Sequence, residues 1–213
     1  MFYRKVVRLE AYRTVRRQAE TEIIIKRSRF LGKGFPVQNE QQAQEILARI
    51  KKEYWDATHN CYAYALRSGT RRFSDDGEPQ GTAGKPILEI LEKEGITDCL
   101  LIVTRYFGGV LLGAGGLVRA YGKAVKEALE AAGPVWMRPC ARSRFSCEYH
   151  QYGRLSALVS EAGGEIADTQ FTSGVTVTFL LPEEAGGRFQ KLLSEASSGS
   201  VEMETLGIEY RAE

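Results

Sequence analysis

Asp75, Asp76, Glu78, Lys85 and Arg105 stand in or beside two glycine-rich segments, Phe73 to Lys85 and Thr104 to Gly122. The whole stretch from Phe73 to Gly122 holds ten of the chain's 22 glycines. Two chemistries suit these types at this spacing. The three acids could hold a divalent cation or serve as acid and base, although neighbouring loop carboxylates without a histidine partner are commonly turn and cap residues. Glycines just before a helix start let backbone amides approach an anion, with Lys85 and Arg105 adding charge and tight backbone packing as the competing reason for the glycines. Gly81-Thr82-Ala83-Gly84-Lys85 is not a phosphate loop, because Pro79 and Pro86 occupy positions that need Gly and Ser or Thr. Gly113-Ala114-Gly115-Gly116-Leu117-Val118 is not a dinucleotide fingerprint, because Val118 replaces its last glycine.

The elements that must position these residues follow from periodicity. Glu22 to Leu31 reads as one strand, with Arg29 among its basic residues serving phosphate contact or edge protection. Asn39 caps a helix whose Ala43, Ile46, Leu47, Ile50 and Tyr54 share a face. Thr58 to Leu66 alternates as a strand with His59, Cys61, Ala63 and Ala65 on one side, where His59 and Cys61 either react together or simply pack. Arg67 to Arg72 reads as a basic turn and Ser74 to Gly84 as an acidic loop. Lys85 to Glu94 forms a short helix, and Cys99 to Val103 a strand covered on both faces. The next helix separates an apolar face from a basic stripe of Arg119, Lys123 and Lys126, read as a solvated face or an anion contact. Residues 1 to 19 form an edge strand or a mobile arm.

Gly133-Pro134 marks the boundary between domains 1–134 and 135–213. Beyond it the pattern is strand 138–149, helix 151–162, strand 165–172, strand 175–181, helix 183–194 and strand 201–210, the ferredoxin-like βαββαβ order. No catalytic constellation occurs there, which suits a docking module for a protein partner.

Charge divides unevenly between the halves. Residues 1–134 carry 22 Lys+Arg against 16 Asp+Glu, and residues 135–213 carry 7 against 11. That split suggests an anionic partner for the first domain. Four cysteines without a Cys-x-x-Cys and only two histidines give no zinc set, and no cofactor is expected. With no signal core and no long apolar run, we expect a soluble, cytoplasmic protein with reduced thiols and no membrane partner.

Several stretches resemble the YigZ/IMPACT family: Ala57-Thr58-His59-Asn60-Cys61-Tyr62-Ala63-Tyr64, Arg72-Phe73-Ser74-Asp75-Asp76-Gly77-Glu78-Pro79, Gly81 to Pro86, Arg105 to Gly109, and Gly113 to Gly122. The match spans about residues 20–130, and the remainder is similar to the second domain of bacterial members. The resemblance implies an α+β protein. Its first domain would have the fold of the second domain of a small-subunit ribosomal protein, with a ferredoxin-like domain after it, as in the last two domains of elongation factor G. Eukaryotic relatives act in translational control through a separate domain, and no stretch here is left to supply it. Some members are described as proline peptidases, but this chain offers no metal set for that chemistry.

These readings converge on a translation-related regulator, more binding protein than enzyme, that associates with RNA or the ribosome. Arg29, Arg72, Lys85, Arg105, Gly115, Gly116, Arg119 and Lys123 are the expected anion contacts, with Asp75, Asp76 and Glu78 as a candidate acidic site. The alternative is an enzyme or binder of a small phosphorylated ligand built on the glycine-rich loops.

Overall fold

The computed structural model describes residues 10–213. The reading of Arg4, Lys5 and Arg8 as part of an arm lies outside them. The chain divides into two compact units, one of Tyr12–Trp136 and one containing Met137–Glu213.

The first unit carries β1 (Tyr12–Val15), β2 (Ala19–Ile25), β3 (Ser28–Pro36), α1 (Glu40–Glu53), β4 (His59–Ala65), β5 (Arg71–Ser74), α2 (Gly84–Lys93), β6 (Cys99–Tyr106) and α3 (Ala114–Ala132). Its sheet runs β2-β3-β6-β4-β5 with every neighbouring pair antiparallel. β6 is the central strand and its apolar run serves two cores. Cys99, Leu101 and Val103 face α2 and α3, while Leu100 and Ile102 face Ala43, Leu47 and Ile50 of α1. β4 alternates between the same layers, with Cys61, Ala63 and Ala65 towards the first and Tyr64 towards the second. The small side chains on that face let a helix pack closely. At Gly32 the approach is closer still, because an added Cβ would stand 2.4 Å from the Ala124 carbonyl oxygen of α3.

The fold departs from the sequence pattern at two places. Glu22 to Leu31 is a hairpin rather than one strand, turning at Lys26 and Arg27 with φ of 45° and 68°. Such a turn normally carries Asn or Gly, so these two residues gave no turn signal. Part of the expected basic turn is β5, a short strand paired to the edge of β4.

The second unit contains most of β7 (Pro134–Cys147), then α4 (Tyr149–Glu161), β8 (Glu165–Phe171), β9 (Val175–Pro182), α5 (Gly186–Ala196) and β10 (Glu204–Ala212). The order β10-β7-β9-β8, antiparallel throughout, is the ferredoxin-like arrangement. Leu155 and Val159 of α4 join Phe189 and Leu193 of α5 over Phe145, Val177 and Phe179. β7 begins earlier than its sequence pattern suggests, at Pro134, and so does α4, whose start is capped by the Gln151 side chain accepting from the Glu148 amide at 3.1 Å. Arg142 and Arg144 pair across strands with Glu209 and Glu204. Such exposed cross-strand pairs suit a sheet surface in contact with water. Among the described residues no helix is long and apolar enough to cross a membrane.

Candidate functional site

Asp75 follows β5 and folds the acidic loop back on itself. Its carboxylate accepts from the backbone amides of Gly81 at 2.8 Å, Ala83 at 3.0 Å and Gly84 at 2.8 Å. Those bonds satisfy donors at the start of α2, where Ala83 has no capping side chain. Gly84 is required there, since a Cβ would lie 2.6 Å from the Ser74 carbonyl oxygen. Asp76 has a φ of 44°, accepts from the Asn60 amide at 2.7 Å and pairs with Lys51 at 2.8 Å. Its carbonyl oxygen lies 2.8 Å from His59 Nδ1. A carbonyl can only accept, so Nδ1 carries the proton and Nε2 of the neutral ring is bare.

Glu78 is buried at the centre of this arrangement. Its Oε1 accepts from the Arg105 guanidinium at 2.6 Å and from the Tyr121 hydroxyl at 2.7 Å, while Oε2 stands 3.8 Å from His59 Nε2. Arg105 reaches towards Ser28 Oγ at 3.4 Å, and its guanidinium carbon lies 5.5 Å from the Phe107 ring. Its Nε is buried with no hydrogen-bond partner among the described residues. The Cys61 thiol donates to the Asp75 carbonyl at 2.9 Å, and burial pushes its pKa up to about 12. Burial also raises the Tyr121 hydroxyl. Cys61 is fully buried in the core between β4 and the helices, so it packs rather than reacts. Among the described residues no three His, Cys, Asp or Glu side chains are grouped to hold a metal. Asp75, Asp76 and Glu78 are spent on separate partners.

Beside this network opens a pocket of about 390 Å³ whose walls include His59, Glu78, Arg105, Phe107, Leu111 and Leu117. Gly113 and Ala114, at the start of α3, complete one side. Gly113 has a φ of 72°, and the helix has neither a side-chain cap nor an acid in its first turn. The first intrahelical bond runs from Leu117 to Gly113, so the preceding amides lack helical acceptors. A second cleft of about 250 Å³ lies on the other side of Leu112, lined by Ile25, Lys26, Gly116, Arg119, Ala120 and Lys123. Among the described residues no carboxylate lines it.

The anion contacts expected from the sequence separate into groups. Gly115 and Gly116 lie in the first turn of α3 and Arg119 and Lys123 in the next two, with Gly116, Arg119 and Lys123 in the second cleft and Lys123 3.8 Å from Glu127. Arg105 is no surface cation: it is 5% exposed and neutralised by Glu78, because β6 carries it into the sheet interior. Arg29 is held in a two-pronged pair with Glu22, at 2.8 and 3.2 Å, which raises the guanidinium pKa and lowers that of the acid. Arg72 is exposed 3.8 Å from Glu40, and Lys85 is exposed 3.9 Å from Glu89. Neither lines either cavity. Lys26, Tyr121 and Phe107 were missing from the expected site. Only the hairpin turn brings Lys26 to α3, and neither residue type nor spacing announces that turn.

Residues 26–129 match the Impact N-terminal domain, and residues 145–200 match a domain of unknown function, DUF1949. The chain is 37% identical to IMPACT family member YvyE of Bacillus subtilis, over 95% of this chain and 94% of that one. It is 36% identical to IMPACT family member YigZ of Escherichia coli, over 84% and 90% respectively. Protein IMPACT of Bos taurus shares 36% identity over 41% of this chain and 29% of its own length. A crystal structure of a hypothetical protein superposes with a TM-score of 0.60 at 32% identity, covering 93% of this chain and 98% of that one.

Proposed function

The chain belongs to the IMPACT family, and from that premise we propose that it is a translation-related regulator whose first unit binds the phosphate backbone of RNA, free or within the ribosome. One observation carries this reading: Lys26, from the β2–β3 turn, and Arg119 and Lys123, from α3, meet around a cleft that no carboxylate of the described residues lines. Lys26, Arg27 and Arg119 have no acidic partner among the described residues, and Lys26 and Arg27 both hold left-handed backbone conformations. Positive charge gathered on one face is the electrostatic footprint of polyanion binding. The excess of 22 Lys+Arg over 16 Asp+Glu in residues 1–134 points the same way. Phosphate contacts are made by backbone amides as well as cations, and the uncapped start of α3 adjoins the cleft.

Fluorescence anisotropy with labelled RNA across a salt series tests the reading. We expect log affinity to fall with log salt by about 0.7 for each phosphate neutralised on a single strand. The double variant Lys26→Glu, Arg119→Glu should bind far more weakly at low salt and show a shallower slope. Unchanged affinity in a folded double variant would remove these residues from the interface.

A further inference from the structure

We infer that the 390 Å³ pocket is a nucleotide subsite, taking the base of one unpaired nucleotide with its phosphate against the amides at the start of α3. This rests on the RNA reading and specifies the form of RNA bound. The pocket and the cationic cleft share Leu112 as a common wall, and both border the first turns of α3. A strand whose backbone follows Lys26, Arg119 and Lys123 therefore passes the pocket mouth.

The walls suit a planar base. Phe107 and Leu111, 45% and 83% exposed, offer apolar surface to its faces. Aromatic stacking of this kind tolerates any base, because every base has a π-face. His59 supplies Nε2 for an edge hydrogen bond, its other nitrogen being held by the Asp76 carbonyl. Arg105, 5% exposed, is held in the pocket wall by Glu78 and reaches towards Ser28, so it shapes the wall. The Glu78–Arg105 pair leaves the floor close to neutral, so a negative ligand meets no net acid there. The phosphate would lie where the helix dipole and free amides favour an anion, with no acidic side chain in that turn to compete. Duplex RNA keeps its bases stacked and cannot deliver one into the pocket without unpairing it.

Two variants test the inference. Ala114→Glu, at an exposed first-turn position, puts a carboxylate where the phosphate would sit while favouring the helix. Phe107→Ala removes the stacking face without changing charge. Full-length protein is titrated with short single-stranded RNA and a duplex of the same sequence, with adenosine monophosphate, uridine monophosphate and inorganic phosphate as competitors. The expected result is preference for the single strand, about tenfold weaker single-strand binding in each variant, duplex binding unaffected by Phe107→Ala, and mononucleotides competing better than inorganic phosphate. Ala114→Glu should melt no lower than the parent. Intact RNA binding that ignores both variants would overturn the subsite and leave the RNA reading standing. Saturable mononucleotide binding that Ala114→Glu abolishes, in a protein that binds no RNA, would overturn the RNA reading and keep the subsite. Absence of both would overturn both.

Discussion

At the scale of single residues, the acidic loop is a set of carboxylates each assigned to a structural partner. Glu78 and Arg105 are buried and 2.6 Å apart, a geometry in which losing one partner strands the other's charge. Arg105→Met is expected to cost about 3–5 kcal/mol in urea unfolding, and pairing it with Glu78→Leu should recover a large part of that loss. Asp75→Ala should cost about 2 kcal/mol, because three amides at the start of α2 lose their acceptor together. A double-variant cost equal to the sum of the two single-variant costs would show that the two charges do not depend on each other. The acids themselves were visible in the sequence, but their spacing could not distinguish a ligand-binding trio from three residues with separate jobs. Direction decides between those readings, and direction depends on where β4, β6 and α3 stand.

Between elements, the decisive contacts are backbone against backbone. Gly108 abuts the β2–β3 turn, where a Cβ would lie 2.1 Å from the Arg27 carbonyl carbon, and its amide donates to Ser28 Oγ at 3.1 Å. The turn holds two long side chains at positive φ, each costing about 1 kcal/mol relative to glycine. Replacing Lys26-Arg27 by Asn-Gly should therefore raise stability by about 1–2 kcal/mol while weakening RNA binding. A gain in stability with undiminished RNA affinity would mean that the turn is strained for some other purpose. The helices were legible because their apolar residues recur at helical spacing, and β6 because its apolar run is continuous. The hairpin was not, since a turn made from Lys and Arg is held by tertiary contact rather than local preference.

Across the whole molecule, buried titratable groups set how stability responds to pH. Burial raises Cys61 and Cys99 to about 12 from an ordinary 9.0, so in the fold they keep protons that the unfolded chain releases. Stability should fall as pH rises from about 9 towards 12, by up to roughly 1.4 kcal/mol per pH unit for each thiol. Lys33 acts in the opposite sense. Burial lowers its pKa from 10.5, so the unfolded chain binds the proton more tightly and stability rises with pH just below that value. Lys33→Met should steepen the alkaline decline, as read from urea midpoints between about pH 8 and pH 10. A profile that stays flat over that range in both proteins would show that these groups are less desolvated than their burial indicates.

Residue order alone was enough for the α+β class, the ferredoxin-like succession of the second unit and the family, because amphipathic period, turn residues and long motifs are local properties of the chain. Gly113 to Gly116 could likewise be placed at a helix start from sequence. Tertiary structure decided which charges are available. It buried Arg105 against Glu78, tied Arg29 to Glu22 and carried Lys26 to Arg119 and Lys123 across a turn without a sequence signature. A side chain's charge is set by its type, but its availability depends on the partner that folding brings within reach.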